Sequence, residues 1–238
     1  MTRLLLLVEG QTEEAFVNRV LRPHLAQAGV FAERPSLLRT KELPAGKPYR
    51  GGVTTYRQIS RDVRRLLTDS NAHVTTLIDD YGLPDDFPGL DAVKALPDPF
   101  ARVTALETSF AADINHIRFV PFLARHEFEA WIFAVPAIAE EHLAVKGVAI
   151  KLEHATEAAG GAEQVNDGPA THPSLRLAIM VERLGARRYG QVGDGPEIVA
   201  KAGRHAVRSA CPHFAAWLQR LEDLGQFPPH AEVHPMMG

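Results

Sequence analysis

The stretch Arg3-Leu4-Leu5-Leu6-Leu7-Val8-Glu9-Gly10-Gln11-Thr12-Glu13-Glu14 decides the fold. A short apolar run stopped by a glycine turn is the pattern of a buried strand, and Ala15, Phe16, Val17, Val20, Leu21 and Leu25 then recur at helical spacing. Thr12 is placed to cap that helix through its hydroxyl. This strand–turn–helix order puts Glu9 at the end of a core strand and Glu13 in the first helical turn. Both would face the crevice at the carboxyl ends of the strands, where α/β sheets bind ligands. Glu13 and Glu14 also suit the positive end of a helix. Glu9 has no such structural account, so its charge has a use only if something cationic binds there.

Working outward, Ser36 to Arg39 reads as a short strand, followed by a loop through Pro44, Gly46, Pro48, Gly51 and Gly52. Tyr56, Ile59, Val63, Leu66 and Leu67 form a helical stripe. Val74 to Ile78 is β-branched or apolar and runs into Asp79-Asp80, a second strand ending in acid. A turn-rich segment, Tyr81 to Asp91, leads to a helix over Pro99–Asp113, a strand over Ile117–Leu123 and a helical segment around Phe128, Trp131 and Ile132. From about residue 136 the chain is alanine-rich and helical in pattern, interrupted by a loop near Gly160 to Pro173. Leu177, Val181 and Leu184 form one stripe, and Phe214, Trp217, Leu218, Leu221 and Leu224 another. The expected architecture is α/β, a mostly parallel sheet flanked by helices with a helical C-terminal extension. Residues 1–145 form the core, 146–225 a helical region packed on it, and 226–238 a flexible tail.

The 238 residues carry a formal net charge of -3, without the globally basic character of many DNA-binding proteins. Cys211 is the only cysteine, which excludes a disulfide framework and a cysteine zinc site. The N-terminal apolar run is too short for a signal peptide, and no stretch reaches the ~20 apolar residues of a membrane helix. A cytoplasmic protein is expected.

Acids close three predicted strands: Glu9 with Glu13, Asp79 with Asp80, and His126-Glu127-Phe128-Glu129. Two unit charges about 4 Å apart repel by roughly 4 kcal/mol at an effective dielectric of 20. Carboxylates gathered at one sheet edge therefore need protons or a divalent cation, and oxygen-only ligands suit Mg²⁺ or Mn²⁺. The alternative places these acids on separate turns facing water. Asp85, Asp86 and Asp91 read as turn residues. His126-Glu127 does not open a zinc-protease H-E-x-x-H, because residue 130 is Ala130. Glu127 and Glu129 share a face only in an extended segment, so one of them is expected to reach a metal.

Arg39, Lys41, Lys47, Arg50, Arg57, Arg61, Arg64 and Arg65 stand against only Glu42 and Asp62. Arg57, Arg61, Arg64 and Arg65 share a helix face. With Arg50, this stripe is either a phosphate track or an ordinary solvated surface. No G-x-x-x-x-G-K-[ST] occurs, so the sequence carries no P-loop. His205 and His213 read as surface or capping residues, and Cys211 as a packing residue.

Val8-Glu9-Gly10-Gln11-Thr12-Glu13 resembles the strand–EG–helix opening of Toprim domains, especially those of OLD-family nucleases. Leu77-Ile78-Asp79-Asp80-Tyr81 resembles the second Toprim motif, D-x-D, and Phe128-Glu129-Ala130-Trp131 resembles the third acidic motif of Toprim-like phage-defence proteins. Asp79-Asp80-Tyr81-Gly82-Leu83-Pro84, Asp86-Phe87-Pro88-Gly89, His126 to Trp131, Cys211-Pro212-His213-Phe214 and Trp217-Leu218 resemble the family DUF4276, over most of the chain.

The resemblance implies a Toprim-like fold and a Mg²⁺- or Mn²⁺-dependent nuclease. It would cleave nucleic acid, with DNA favoured over RNA, alongside a separate AAA- or ABC-type ATPase. A homodimer is compatible with it. Carried over by position, Glu9, Asp79 and Glu129 are the expected catalytic acids. Glu9, Glu13, Asp79, Asp80, Glu127 and Glu129 are the candidate metal ligands, and Arg176 or Lys201 a candidate for the basic residue that often assists late in OLD-type sites. Tyr81 departs from the pattern, standing where Toprim enzymes usually carry an aspartate. That departure favours a degenerate accessory protein that binds an ATPase or nucleic acid. A third alternative is a metal-dependent nucleotide phosphohydrolase.

Overall fold

The computed structural model describes residues 1–38, 55–165, 172–185 and 187–226. Arg39, Lys41, Lys47, Arg50, the loop through residues 44–52 and the expected tail beyond Gln226 lie outside them. Strand β1 (Thr2–Val8) leads into α1 (Gln11–Phe16), which continues through a π-helical turn, Val17–Leu21, into α2 (Arg22–Gln27). There follow β2 (Val30–Ala32), β3 (Ser36–Leu37), α3 (Tyr56–Leu66), β4 (Ala72–Asp79), α4 (Leu90–Val93) and α5 (Pro99–Ile114). The chain then forms β5 (Phe119–Val120), β6 (Leu123–Ala124), α6 (Ala130–Phe133), α7 (Pro136–Leu143) and α8 (Val148–Ala159). It closes with α9 (Pro173–Gly185), α10 (Gln191–Ala210) and α11 (Pro212–Asp223).

The sheet is parallel throughout, in the order β2-β1-β4-β5, with β3 also pairing β1 and β6 also pairing β4. Register sets the site: Val8 pairs Leu77, and Asp79 pairs Ala124. Glu9, Asp79 and the segment from Arg125 onward therefore emerge at the same end of adjacent strands. Leu4, Leu6 and Val8 point into one apolar cluster and Leu7 into the other, so both faces are covered, as a parallel sheet requires.

β2 is an element the sequence reading lacks. It is three residues long and enters through Gly29, whose φ of 80° suits glycine. The strand expected over Ile117–Leu123 is broken into β5 and β6. Pro121, between them, has no N–H to give to a ladder. The hydroxyls of buried Thr75 and Thr76 fill in, donating to the carbonyls of Val120 and Phe122 at 2.6 and 2.8 Å, while Phe122 N donates to Thr76 Oγ1. Thr12 does not cap α1 either. Gly10 is the N-cap, and the Glu13 carboxylate reaches back to accept from Gly10 N at 2.8 Å.

The C-terminal helices share the core of the sheet. Phe214 packs against Phe16 and Trp131, while Trp217 stacks on Phe122 at 4.2 Å and donates its indole N–H to Thr75 Oγ1 at 2.9 Å. Cys211 is fully buried among them. Among the described residues, no helix is long and apolar enough to cross a membrane.

Candidate functional site

Glu9 sits one residue past β1, and its Oε2 accepts from the backbone N of Asp79 at 3.1 Å. Asp79 in turn accepts from Phe128 N at 3.2 Å, which fastens the third acidic segment to the end of β4. Glu13 is buried in the first turn of α1, and Glu129 is buried at the start of α6. Their charges are coupled. Burial, followed by repulsion from Glu13 and Glu127, raises Glu9 to about 7. Burial, followed by repulsion from Glu127, raises Glu129 to about 8. Burial first, then Glu13, Glu9, Glu129 and Glu127, drives Asp79 well above the carboxylate range, and burial also raises Glu13. These five carboxyl groups are electrostatic neighbours at one end of the sheet.

Asp80 does not join them. Consecutive strand residues point to opposite faces, and Asp80 accepts from His126 N at 2.6 Å on the other side. Its electrostatic neighbours there are Arg125, His213 and Arg102; burial outweighs them and lifts it to about 6. His126 is held in a left-handed conformation, φ 65°. Burial, with Arg125 and Arg102 nearby, depresses it to about 4, so it faces Asp80 as a neutral ring. Glu127 belongs to the cluster but is already engaged. It accepts from Ser174 N at 2.9 Å, its Oε1 lies 3.1 Å from His172 Nδ1, and it thereby ties the start of α9 to the site.

The arginine stripe is divided. Arg57, Arg61, Arg64 and Arg65 are exposed along α3. Arg64, however, donates to the Asp113 and Ile114 carbonyls at the end of α5 and lies 3.4 Å from the Asp113 carboxylate, and Arg61 lies 3.5 Å from Asp62. Arg57 keeps the character of a solvated cation. Arg176 lines a groove between α8 and α9 with Lys151, His154 and Arg183, and Lys201 is exposed on α10. His213 is not a surface residue: it is mostly buried, with Nε2 3.0 Å from Glu107, and its backbone N donates to the Glu163 carboxylate, which caps α11. Asp86 accepts from Tyr56 N at the start of α3, a capping role beyond the expected turn.

Three residues of the site escaped the sequence reading. Tyr189 donates its hydroxyl to Glu129 Oε1 at 3.3 Å; burial, then Glu129, raises it so that it stays protonated. Gly195 makes room for it, since a Cβ there would lie 2.7 Å from the Tyr189 hydroxyl. His172 and Ser174 are the others. All lie far along the chain in segments without a local motif, and only the docking of α9 and α10 brings them in.

The donor chemistry fits a hard divalent cation. Glu9, Glu13, Asp79 and Glu129 are oxygen donors whose raised proton affinity has burial and mutual repulsion behind it, with no lysine or arginine among its causes. As the side chains stand, no three His, Cys, Asp or Glu among the described residues are placed to hold one ion. Glu9, Glu13 and Asp79 each give one oxygen to a backbone N–H, which leaves the second oxygen of each carboxylate uncommitted by those bonds.

The family described as a domain of unknown function, DUF4276, matches residues 8–222. Among solved structures, the chain is similar to the C-terminal region of the Burkholderia pseudomallei OLD protein. The identity is 16% and the TM-score 0.41, over 94% of this chain and 99% of that one. It is also similar to the C-terminal region of the Xanthomonas campestris pv. campestris OLD protein, at 16% identity and a TM-score of 0.40, over 95% and 97%. No curated protein matches.

Proposed function

The chain belongs to the DUF4276 family, and from that premise we propose that it is a divalent-cation-dependent nuclease subunit, hydrolysing phosphodiester bonds of nucleic acid. The observation that carries this reading is the meeting of Glu9, Glu13, Asp79, Glu127 and Glu129 at the carboxyl ends of β1 and β4, with Tyr189 donating to Glu129. Unneutralised, such a cluster is costly; a structural role alone gives no reason to assemble it.

Glu9, Asp79 and Glu129 would hold Mg²⁺ or Mn²⁺, with Glu13 beside them. Bound there, the cation would acidify a water and neutralise charge on the phosphate. The chain's own residues do the rest. Asp79 N orients Glu9, Phe128 N orients Asp79, and Tyr189 holds one oxygen of Glu129. Arg57 and Arg61 on α3 would track phosphates. Nucleotide-driven control would come from a separate AAA- or ABC-type ATPase, in a defence or DNA-processing system, with DNA as the favoured polymer.

A second reading has support in two features: Tyr81 stands where the resembled motif carries an aspartate, and among the described residues no three His, Cys, Asp or Glu are placed to hold one ion. On that reading the chain is a catalytically degenerate accessory protein that binds nucleic acid or the ATPase.

One experiment separates the two. Purified protein is incubated with plasmid and single-stranded DNA and RNA in Mg²⁺ or Mn²⁺, with and without the ATPase encoded beside it. Cation-dependent cleavage that Glu9→Gln removes supports the nuclease. Binding without cleavage under every condition supports the accessory protein.

A further inference from the structure

By its resemblance to the D-x-D motif, Tyr81 stands where an aspartate is expected, and its surroundings suit a different task. Its ring stacks on that of His172, centroids 5.2 Å apart and planes 29° from parallel, yet Tyr81 remains 42% exposed. His172 is anchored through its ring and Tyr81 through its backbone. Tyr81 N donates to the His126 carbonyl at 3.2 Å, while His172 Nδ1 lies 3.1 Å from Glu127 and 3.0 Å from the Ser174 hydroxyl. The pair lies beside the acid cluster. His172 touches Glu127, and the residue after Tyr81 is Gly82, where a Cβ would lie 3.6 Å from Glu9 Oε1.

A large, partly exposed aromatic ring beside the acid cluster is suited to stacking with a nucleobase. We propose that the Tyr81–His172 pair is a platform for an unpaired base, making single-stranded nucleic acid, or a frayed end, the substrate class of this site. The inference rests on the nuclease reading for the position of the scissile phosphate. A duplex base already stacks on its neighbours and cannot lie on the ring without being unpaired, so the platform discriminates against intact duplex.

The test is equilibrium binding in EDTA, where no cleavage occurs, using 2-aminopurine oligonucleotides. Single-stranded, duplex and abasic single-stranded probes are compared with the parent protein, Tyr81→Ala and Tyr81→Phe. Stacking of one base on an aromatic side chain is worth roughly tenfold in affinity. Tyr81→Ala should therefore bind the single strand about tenfold more weakly, with Tyr81→Phe close to the parent. Duplex binding and abasic-strand binding should be the same for all three proteins. Equal single-strand affinity for Tyr81→Ala and the parent overturns the platform, as does an equal loss for single strand and duplex. A cleavage assay in Mn²⁺ keeps the two claims apart. Tyr81-dependent strand binding without cleavage leaves the platform standing and removes the nuclease. Glu9-dependent cleavage, with strand binding indifferent to Tyr81, does the reverse.

Discussion

At Glu9 and Glu129, burial and neighbouring carboxylates hold protons into the neutral range, to about 7 and about 8, whereas an exposed glutamate releases its proton at 4.5. Between those limits the folded chain binds more protons than the unfolded one, so its stability falls as pH rises. The contribution is fully present below the unfolded value and lost as pH passes the folded values. In EDTA, the midpoint of thermal unfolding should drop between about pH 5 and about pH 8.5. A saturating divalent cation should recover it at the upper end, because the cation replaces the protons. Differential scanning calorimetry across that range checks both, and a midpoint that rises steadily to pH 8.5 in EDTA would contradict the coupling. Asp80 shows how finely position decides role: one residue past Asp79, it faces Arg125 and His126 instead of the cluster.

Among the elements, the strand–turn–helix opening and the acid-terminated β4 were legible because a parallel strand buried on both faces is written as an apolar run, and its end as the first charge after it. The segments that complete the site were not. The strand expected over Ile117–Leu123 gave no sign of its break at Pro121 into β5 and β6, a gap that the threonine hydroxyls of β4 bridge. Tyr189, His172 and Ser174 reach the acids through the packing of α9 and α10, which has no local sequence signature. Helix α3 illustrates the reverse case, a clear pattern with two readings. Its stripe binds phosphates only to the extent that its arginines are not already engaged, and Arg64 is held by the end of α5. The double variant Arg57→Ala, Arg61→Ala should weaken nucleic-acid binding. It should also flatten the log–log salt dependence by about 0.9 per lost contact on duplex, or about 0.7 on single strands. An unchanged slope returns the stripe to a solvated surface.

Across the whole molecule, one apolar cluster runs from β1 through α6 to α11, so the acid site stands on the C-terminal helices as much as on the sheet. Trp217 is the bolt of that arrangement, stacked on Phe122 and bonded to Thr75. Trp217→Ala should cost about 3–5 kcal/mol and lower the midpoint of a single unfolding transition in urea. A variant that lost only a separate helical transition would show instead that the C-terminal helices fold apart from the sheet. The account as a whole turns on the acid cluster being a cation site, and its most direct test is a Mn²⁺ titration followed by electron paramagnetic resonance at a pH above the raised carboxyl values. The account predicts saturable Mn²⁺ binding by the parent that Glu9→Gln and Asp79→Asn each abolish while Asp86→Asn retains it. Absence of binding by the parent, or binding that survives both Glu9→Gln and Asp79→Asn, would contradict it.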